Sequence, residues 1–127
     1  MKNLHPGLIG TATTVVTDKN TAAAMKSGAL PVFATPSMCA LMEEAACDAL
    51  RAYLDEGSGT VGISLSITHD KATALGDMVT ARATLKEADG RRLVFEVEAR
   101  DSIGIIGKGT HERFMIDNKK FMDKLKK

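Results

Sequence analysis

The stretch from Ala34 to Leu50 reads ATPSMCALMEEAACDAL, and the way it folds dictates how the rest of the chain can be arranged. Thr35 is the type of residue that caps a helix, and Pro36 suits a first helical position, where a missing N–H costs nothing. The segment therefore predicts a helix that runs through Tyr53 and Leu54 to Asp55-Glu56-Gly57-Ser58-Gly59, whose glycines favour a stop. That is about five turns. On a helical wheel Glu44, Asp48, Arg51 and Asp55 share one narrow sector, the natural solvent face. Glu43 points about 100° away, into the sector of Cys39, Cys47, Leu50 and Leu54, while Met38, Leu41, Met42, Ala45, Ala49 and Tyr53 fill much of the remaining circumference. An ionised carboxylate among apolar neighbours is either paired or shifted toward its neutral form. Either state suits catalysis, and pairing with an arginine such as Arg113, or access to water at the edge of a dimer interface, accounts for Glu43 equally well.

After the helix, Val61, Ile63, Leu65 and Ile67 alternate with Gly62, Ser64, Ser66 and Thr68, the period of a strand with one buried face, and His69 continues the buried parity. Val79, Ala81, Ala83 and Leu85 form a second alternating run, Asp89-Gly90 signals a hairpin, and Leu93, Phe95, Val97 and Ala99 form the returning strand. Ser102-Ile103-Gly104 makes another turn before a last long strand from Ile105 to Ile116, in which Gly107 and Gly109 predict a bulge or a close approach. A weaker strand spans Leu8 to Thr17, and Asp117 to Lys127 is a terminal helix or a solvated lysine-rich tail. One long apolar helix among about five strands finds cover only if an antiparallel sheet curls around it. This α+β arrangement is the hotdog fold, and residues 1–127 are expected to form one such domain.

Seventeen basic against sixteen acidic residues leave the chain nearly neutral, so there is no electrostatic case for a nucleic acid or an anionic membrane surface. The N-terminal residues do not resemble a signal peptide, and no window approaches a membrane span. A cytoplasmic protein is the expectation. Cys39 and Cys47 fall about 12 Å apart along a helix, too far to bridge, and read as free thiols. A chain of this size completes its core readily by dimerising.

His69 closes a strand on its apolar parity, where a histidine is either a hydrogen-bonded core residue or a catalyst. His111 lies in a strand with polar residues on both parities and is the weaker candidate, and His5 is a terminal residue. Neither His-x-x-x-His nor Cys-x-x-Cys occurs, so neither a metal nor a cofactor is expected. A Gly-x-Ser-x-Gly elbow and a phosphate-binding glycine loop are also missing from the sequence.

Taken in order and spacing, Val32-Phe33-Ala34 with Met38, Leu41-Met42-Glu43, Ala45-Ala46-Cys47, Ile67-Thr68-His69 and Gly107-Lys108-Gly109-Thr110-His111-Glu112-Arg113 resemble the fluoroacetyl-CoA thioesterase group of the hotdog superfamily. The similarity runs from Pro31 to Phe121. It implies a catalytic threonine, glutamate and histidine at Thr35, Glu43 and His69, with Gly62 and Arg113 at positions that handle substrate. The family's aromatic gate just upstream of the helix has no counterpart in Ala29-Leu30-Pro31, and Phe33 is the nearest aromatic residue. Substrate contact therefore falls to Phe33, and selectivity for fluoroacetyl is not expected. Pro36 directly after Thr35 leaves the hydroxyl two competing roles, reactive group or helix cap.

The implied activity is hydrolysis of a small acyl-CoA to acid and CoA. His69 would act as general acid/base and Glu43 as its activating carboxylate or as a nucleophile forming an anhydride. Thr35 and Glu43 lie about 12 Å apart along the helix, and the resemblance implies a homodimer with active sites between subunits. Arg113 would pair with Glu43 or bind a CoA phosphate. Two rivals stand beside this reading: an acyl-CoA binding module without turnover, and an enoyl-CoA hydratase or dehydratase.

Overall fold

A computed structural model describes residues 4–126. The elements are β1 (Ile9–Val15), the short helix α1 (Ala22–Met25), α2 (Thr35–Leu50) with a 3₁₀ turn at Arg51–Tyr53, β2 (Ser58–His69), β3 (Met78–Asp89), β4 (Arg92–Arg100), β5 (Ile105–Asp117) and α3 (Asn118–Asp123). The strands form one antiparallel sheet in the order β1-β3-β4-β5-β2. The sheet curls around α2, the hotdog arrangement that the sequence predicted.

α2 buries Met38, Leu41, Met42, Ala45, Ala46, Ala49 and Leu50, and each large side chain among them contributes about 1.5–3 kcal/mol of transfer free energy. Ala12, Ala81, Ala83 and Ala99 of the strands that α2 packs on are buried too, so small residues on both elements let helix and sheet approach closely. Gly10 lets them meet: a Cβ there would run into the Ala45 carbonyl and the Ala49 amide. The helix packs chiefly on β1 and β3. The β2 side of the concave face is thus less covered, and the sector of α2 that carries Glu43 looks that way.

The hairpin at Asp89-Gly90 forms as expected, with Gly90 at φ 62°; Phe95, Val97 and Ala99 are buried opposite Leu85, Ala83 and Ala81, and the buried Leu93 pairs with Ala88. The close approach expected at Gly107 is present, since a Cβ there would lie 2.5 Å from the Thr68 carbonyl and 2.8 Å from Met38 Sδ.

Two expectations are corrected. The first is the helix start: Ala34, in an extended conformation, holds the N-cap position, its carbonyl accepts from Met38 N–H, and no side chain caps the helix. The Thr35 hydroxyl is engaged elsewhere. The second is the single buried face of β2. The register against β5 shifts between Gly62 and Ser64, and one extra residue reverses the side-chain parity of everything before it. Leu65 and Ile67 pack on the core. Val61 and Ile63 instead line a groove on the outer face with Phe114, and Gly62 faces inward toward Glu43.

Candidate active site

Two clusters gather the residues singled out from the sequence. The first sits where the end of β2 meets the start of α2. Thr35 Oγ1 lies 2.7 Å from His69 Nδ1. The helix presents Thr35 in its exposed first turn because the cap is left to Ala34. Beside the pair lies a cavity of about 240 Å³ whose walls include Val32, Phe33, Asp70 and Lys71. Phe33 is buried, and its N–H bonds the Thr73 carbonyl, which ties the wall to the loop before β3. Burial lowers the His69 pKa from its ordinary value, against the nearby Asp70 charge and a backbone hydrogen bond at Lys71 that raise it. The imidazole is therefore neutral at pH 7 and able to take a proton. Its Nε2 is buried and has no hydrogen-bond partner among the described residues.

The second cluster surrounds Gly62, near the other end of β2. Arg113 Nη1 approaches Glu43 Oε2 at 3.5 Å, Arg113 Nε donates to Thr60 Oγ1 at 2.9 Å, and Nη2 donates to the Thr60 carbonyl at 3.1 Å. The guanidinium is buried while the Glu43 side chain stays 45% exposed, so the carboxylate is accessible. Gly62 leaves room for it, since a Cβ would stand 2.6 Å from Glu43 Oε2. Cys39, one turn before Glu43, has its thiol pushed up by burial and by the Glu43 charge. Both cysteines are free. Among the described residues no group of three or more His, Cys, Asp or Glu gathers as a metal site.

The Thr35–His69 pair and the Glu43–Arg113 pair therefore lie apart within one chain. Thr35 and Glu43 are about 12 Å apart along the helix, and Gly62 and His69 are about 20 Å apart along the strand.

A family model for the fluoroacetyl-CoA-specific thioesterase matches residues 16–119. The chain belongs to this family. Membership in the fluoroacetyl-CoA thioesterase family makes it a thioester hydrolase. It is 44% identical over 95 residues to the fluoroacetyl-CoA thioesterase of Streptantibioticus cattleyicolor, a match covering 75% of this chain and 68% of that protein. A solved structure of the fluoroacetyl-CoA thioesterase superposes with a TM-score of 0.92 at 36% identity, covering 98% of this chain and 96% of the other. A variant of that thioesterase solved with fluoroacetate and CoA matches at 38% identity and a TM-score of 0.87, covering 93% and 99%.

His111 is the residue that sequence reasoning underrated. It is buried, its Nδ1 lies 2.8 Å from the Ser64 carbonyl, and its Nε2 lies 3.2 Å from Arg113 Nη1. The signal that could have found it is the turn at Ser102-Ile103-Gly104. Folding the chain back about that turn sets Phe95 opposite His111 and Leu93 opposite Arg113, the register observed, and opposite residues share a face.

Proposed function

We propose that the protein hydrolyses a short acyl-CoA thioester to the free acid and CoA, using Thr35, His69 and Glu43 on a site completed between two copies of the chain. The observation that carries this reading is the 2.7 Å bond between the Thr35 hydroxyl and His69 Nδ1 at the mouth of the cavity. A hydroxyl held by a neutral imidazole is a proton relay. Where water attacks directly, with Glu43 orienting it, His69 takes its proton through this relay and returns one to the departing CoA sulfur; where the Glu43 carboxylate attacks, no proton is released until water hydrolyses the anhydride, and His69 takes the proton of that water. Glu43, accessible and only loosely held by Arg113, either activates a water molecule or attacks the thioester carbonyl itself. In the second route an anhydride forms, CoA thiolate leaves, and water hydrolyses the anhydride, restoring the carboxylate. Gly62 and Arg113 frame the carboxylate, and Phe33 walls the acyl cavity. The relative from Streptantibioticus cattleyicolor makes fluoroacetyl-CoA the first substrate to compare with acetyl-CoA.

The homodimer is supported by the edge of the sheet. β2 is an edge strand of 12 residues, and its sequence SGTVGISLSITH has no charge and no proline, the devices that normally protect such an edge. Antiparallel pairing of β2 with a second β2 brings the His69 end of each strand toward the Gly62 end of the other. Each Thr35–His69 pair then meets the partner's Glu43.

The test is thiol release from a panel of short acyl-CoA thioesters, with Glu43→Ala and His69→Ala as controls. Each substitution is expected to lower kcat/KM by about 10²-fold or more. Wild-type rates in both variants would sink the residue assignment, and hydration of an enoyl-CoA with the thioester intact would establish hydratase chemistry instead. In single-turnover hydrolysis in H₂¹⁸O, label in the Glu43 carboxylate with unlabelled product acid would establish the anhydride route, opened by water at the glutamyl carbon.

A further inference from the structure

The imidazole of His111 is held on every side. Nδ1 lies 2.8 Å from the Ser64 carbonyl, which can only accept, so Nδ1 carries the proton. Nε2 lies 3.2 Å from Arg113 Nη1, which can only donate, so Nε2 carries a lone pair. The ring is therefore neutral and fixed in one tautomer by geometry. Its face lies over Phe95, with centroids 6.2 Å apart and planes at 30°. The Ser64 carbonyl that fixes it follows directly on the β2 bulge. Burial, the largest influence, and the Arg113 charge both disfavour its protonation.

Arg113 is thus held by Thr60 through Nε and Nη2 and by His111 through Nη1. Its approach to Glu43 remains long, 3.5 Å, where an unconstrained guanidinium and carboxylate settle at about 2.7–2.9 Å. A tightly paired carboxylate is a poorer base and a poorer nucleophile. We propose that His111 is a positioning residue of the hydrolase: as a neutral Nδ1–H imidazole it accepts from Arg113 Nη1 and restrains that nitrogen from closing on Glu43, which keeps the carboxylate reactive. This assignment rests on the thioesterase reading above. It gives the buried His111, the inward Gly62 and the β2 bulge one shared purpose, since a Cβ on Gly62 would stand 3.3 Å from both Arg113 Nη1 and His111 Cε1.

Two isosteres separate the halves of the ring. His111→Gln places an amide near the Nε2 position and keeps an acceptor for Arg113, whereas His111→Asn places it near Nδ1, keeps the bond to Ser64 and loses the acceptor. The Asn variant is expected to lose about tenfold or more in kcat with KM nearly unchanged, and the Gln variant to stay within about threefold of wild type. With Arg113→Gln already present, His111→Asn should have no further effect on kcat. Melting temperatures measured alongside separate a folding loss from a kinetic one. Imidazole ¹⁵N NMR of the wild-type protein should show the Nδ1–H tautomer, with an Nε2 resonance that shifts in Arg113→Gln.

A protonated Nε2 in the resting protein overturns the proposal, as do equal kcat values for folded Gln and Asn variants. If the Asn variant does not fold, the Gln variant and the spectrum decide. Failure of the wild-type protein to release thiol from any thioester would bring down the hydrolase reading itself, and the spectrum would still decide whether His111 holds Arg113.

Discussion

Thr35 shows how one hydroxyl is assigned by its partner rather than by its neighbours. In sequence it precedes a proline and reads equally well as a cap or a reactive group, because local rules see only Pro36 and the helix beyond it. The structure takes the capping role away and gives the hydroxyl a partner 34 positions on: it bonds His69, and Ala34 occupies the cap. Removing a true capping side chain costs about 0.5–2 kcal/mol. Thr35→Val loses the bond to His69, so stability measured in urea should fall only modestly, by about 0.5–1.5 kcal/mol, while kcat falls about tenfold or more through loss of the relay. A large drop in midpoint with kcat preserved would return Thr35 to the capping role. Two histidines, His111 buried and His69 half-buried, carry a pH signature of their own. Burial lowers the folded pKa of both His69 and His111, so below about pH 6.5 the unfolded chain binds more protons than the folded one. The associated stability is complete above about pH 6.5 and is lost as pH falls through the depressed folded values. Urea midpoints should decline over that window, and His111→Gln should flatten the decline.

At the scale of elements, alternation and turn chemistry made most of the fold legible. The runs from Val79 to Leu85 and from Leu93 to Ala99 bury the residues that their period selects, and the Asp89-Gly90 turn joins them as expected. β2 broke the rule because its bulge depends on pairing with β5, and no local pattern announces an inserted residue. That one residue turns Ile63 outward and Gly62 inward, and it builds the Glu43 cluster that the wheel of α2 could only make suspicious. The close seating of α2 on β1 was equally silent in the sequence, although the alanines of both elements permitted it. Gly10→Ala tests that seating. Its Cβ would meet backbone atoms of α2, which cannot turn aside as a flexible side chain can, so a loss of about 3 kcal/mol or more is expected from urea unfolding. An effect below about 1 kcal/mol would mean that the helix shifts freely over β1.

For the molecule as a whole, the separation of the two clusters is the decisive fact. Thr35 with His69 and Glu43 with Arg113 stand apart along the uncharged edge strand β2, and the two-fold axis proposed to cross that strand would supply each cluster with its complement. An isologous pair of this kind has a consequence that no single-chain site shares. Glu43→Ala and His69→Ala homodimers are each expected to be inactive in both of their sites. When the two are unfolded together and refolded, about half of the dimers are mixed, and each mixed dimer unites the intact Glu43 of one chain with the intact His69 of the other in one of its two sites. Activity should therefore return to about a quarter of the wild-type value at equal total protein. The same mixture stays inactive if both residues act within one chain, because neither variant carries a complete set. Recovery should also depend on dimerisation, so sedimentation of the mixture must show a dimer at the concentration assayed.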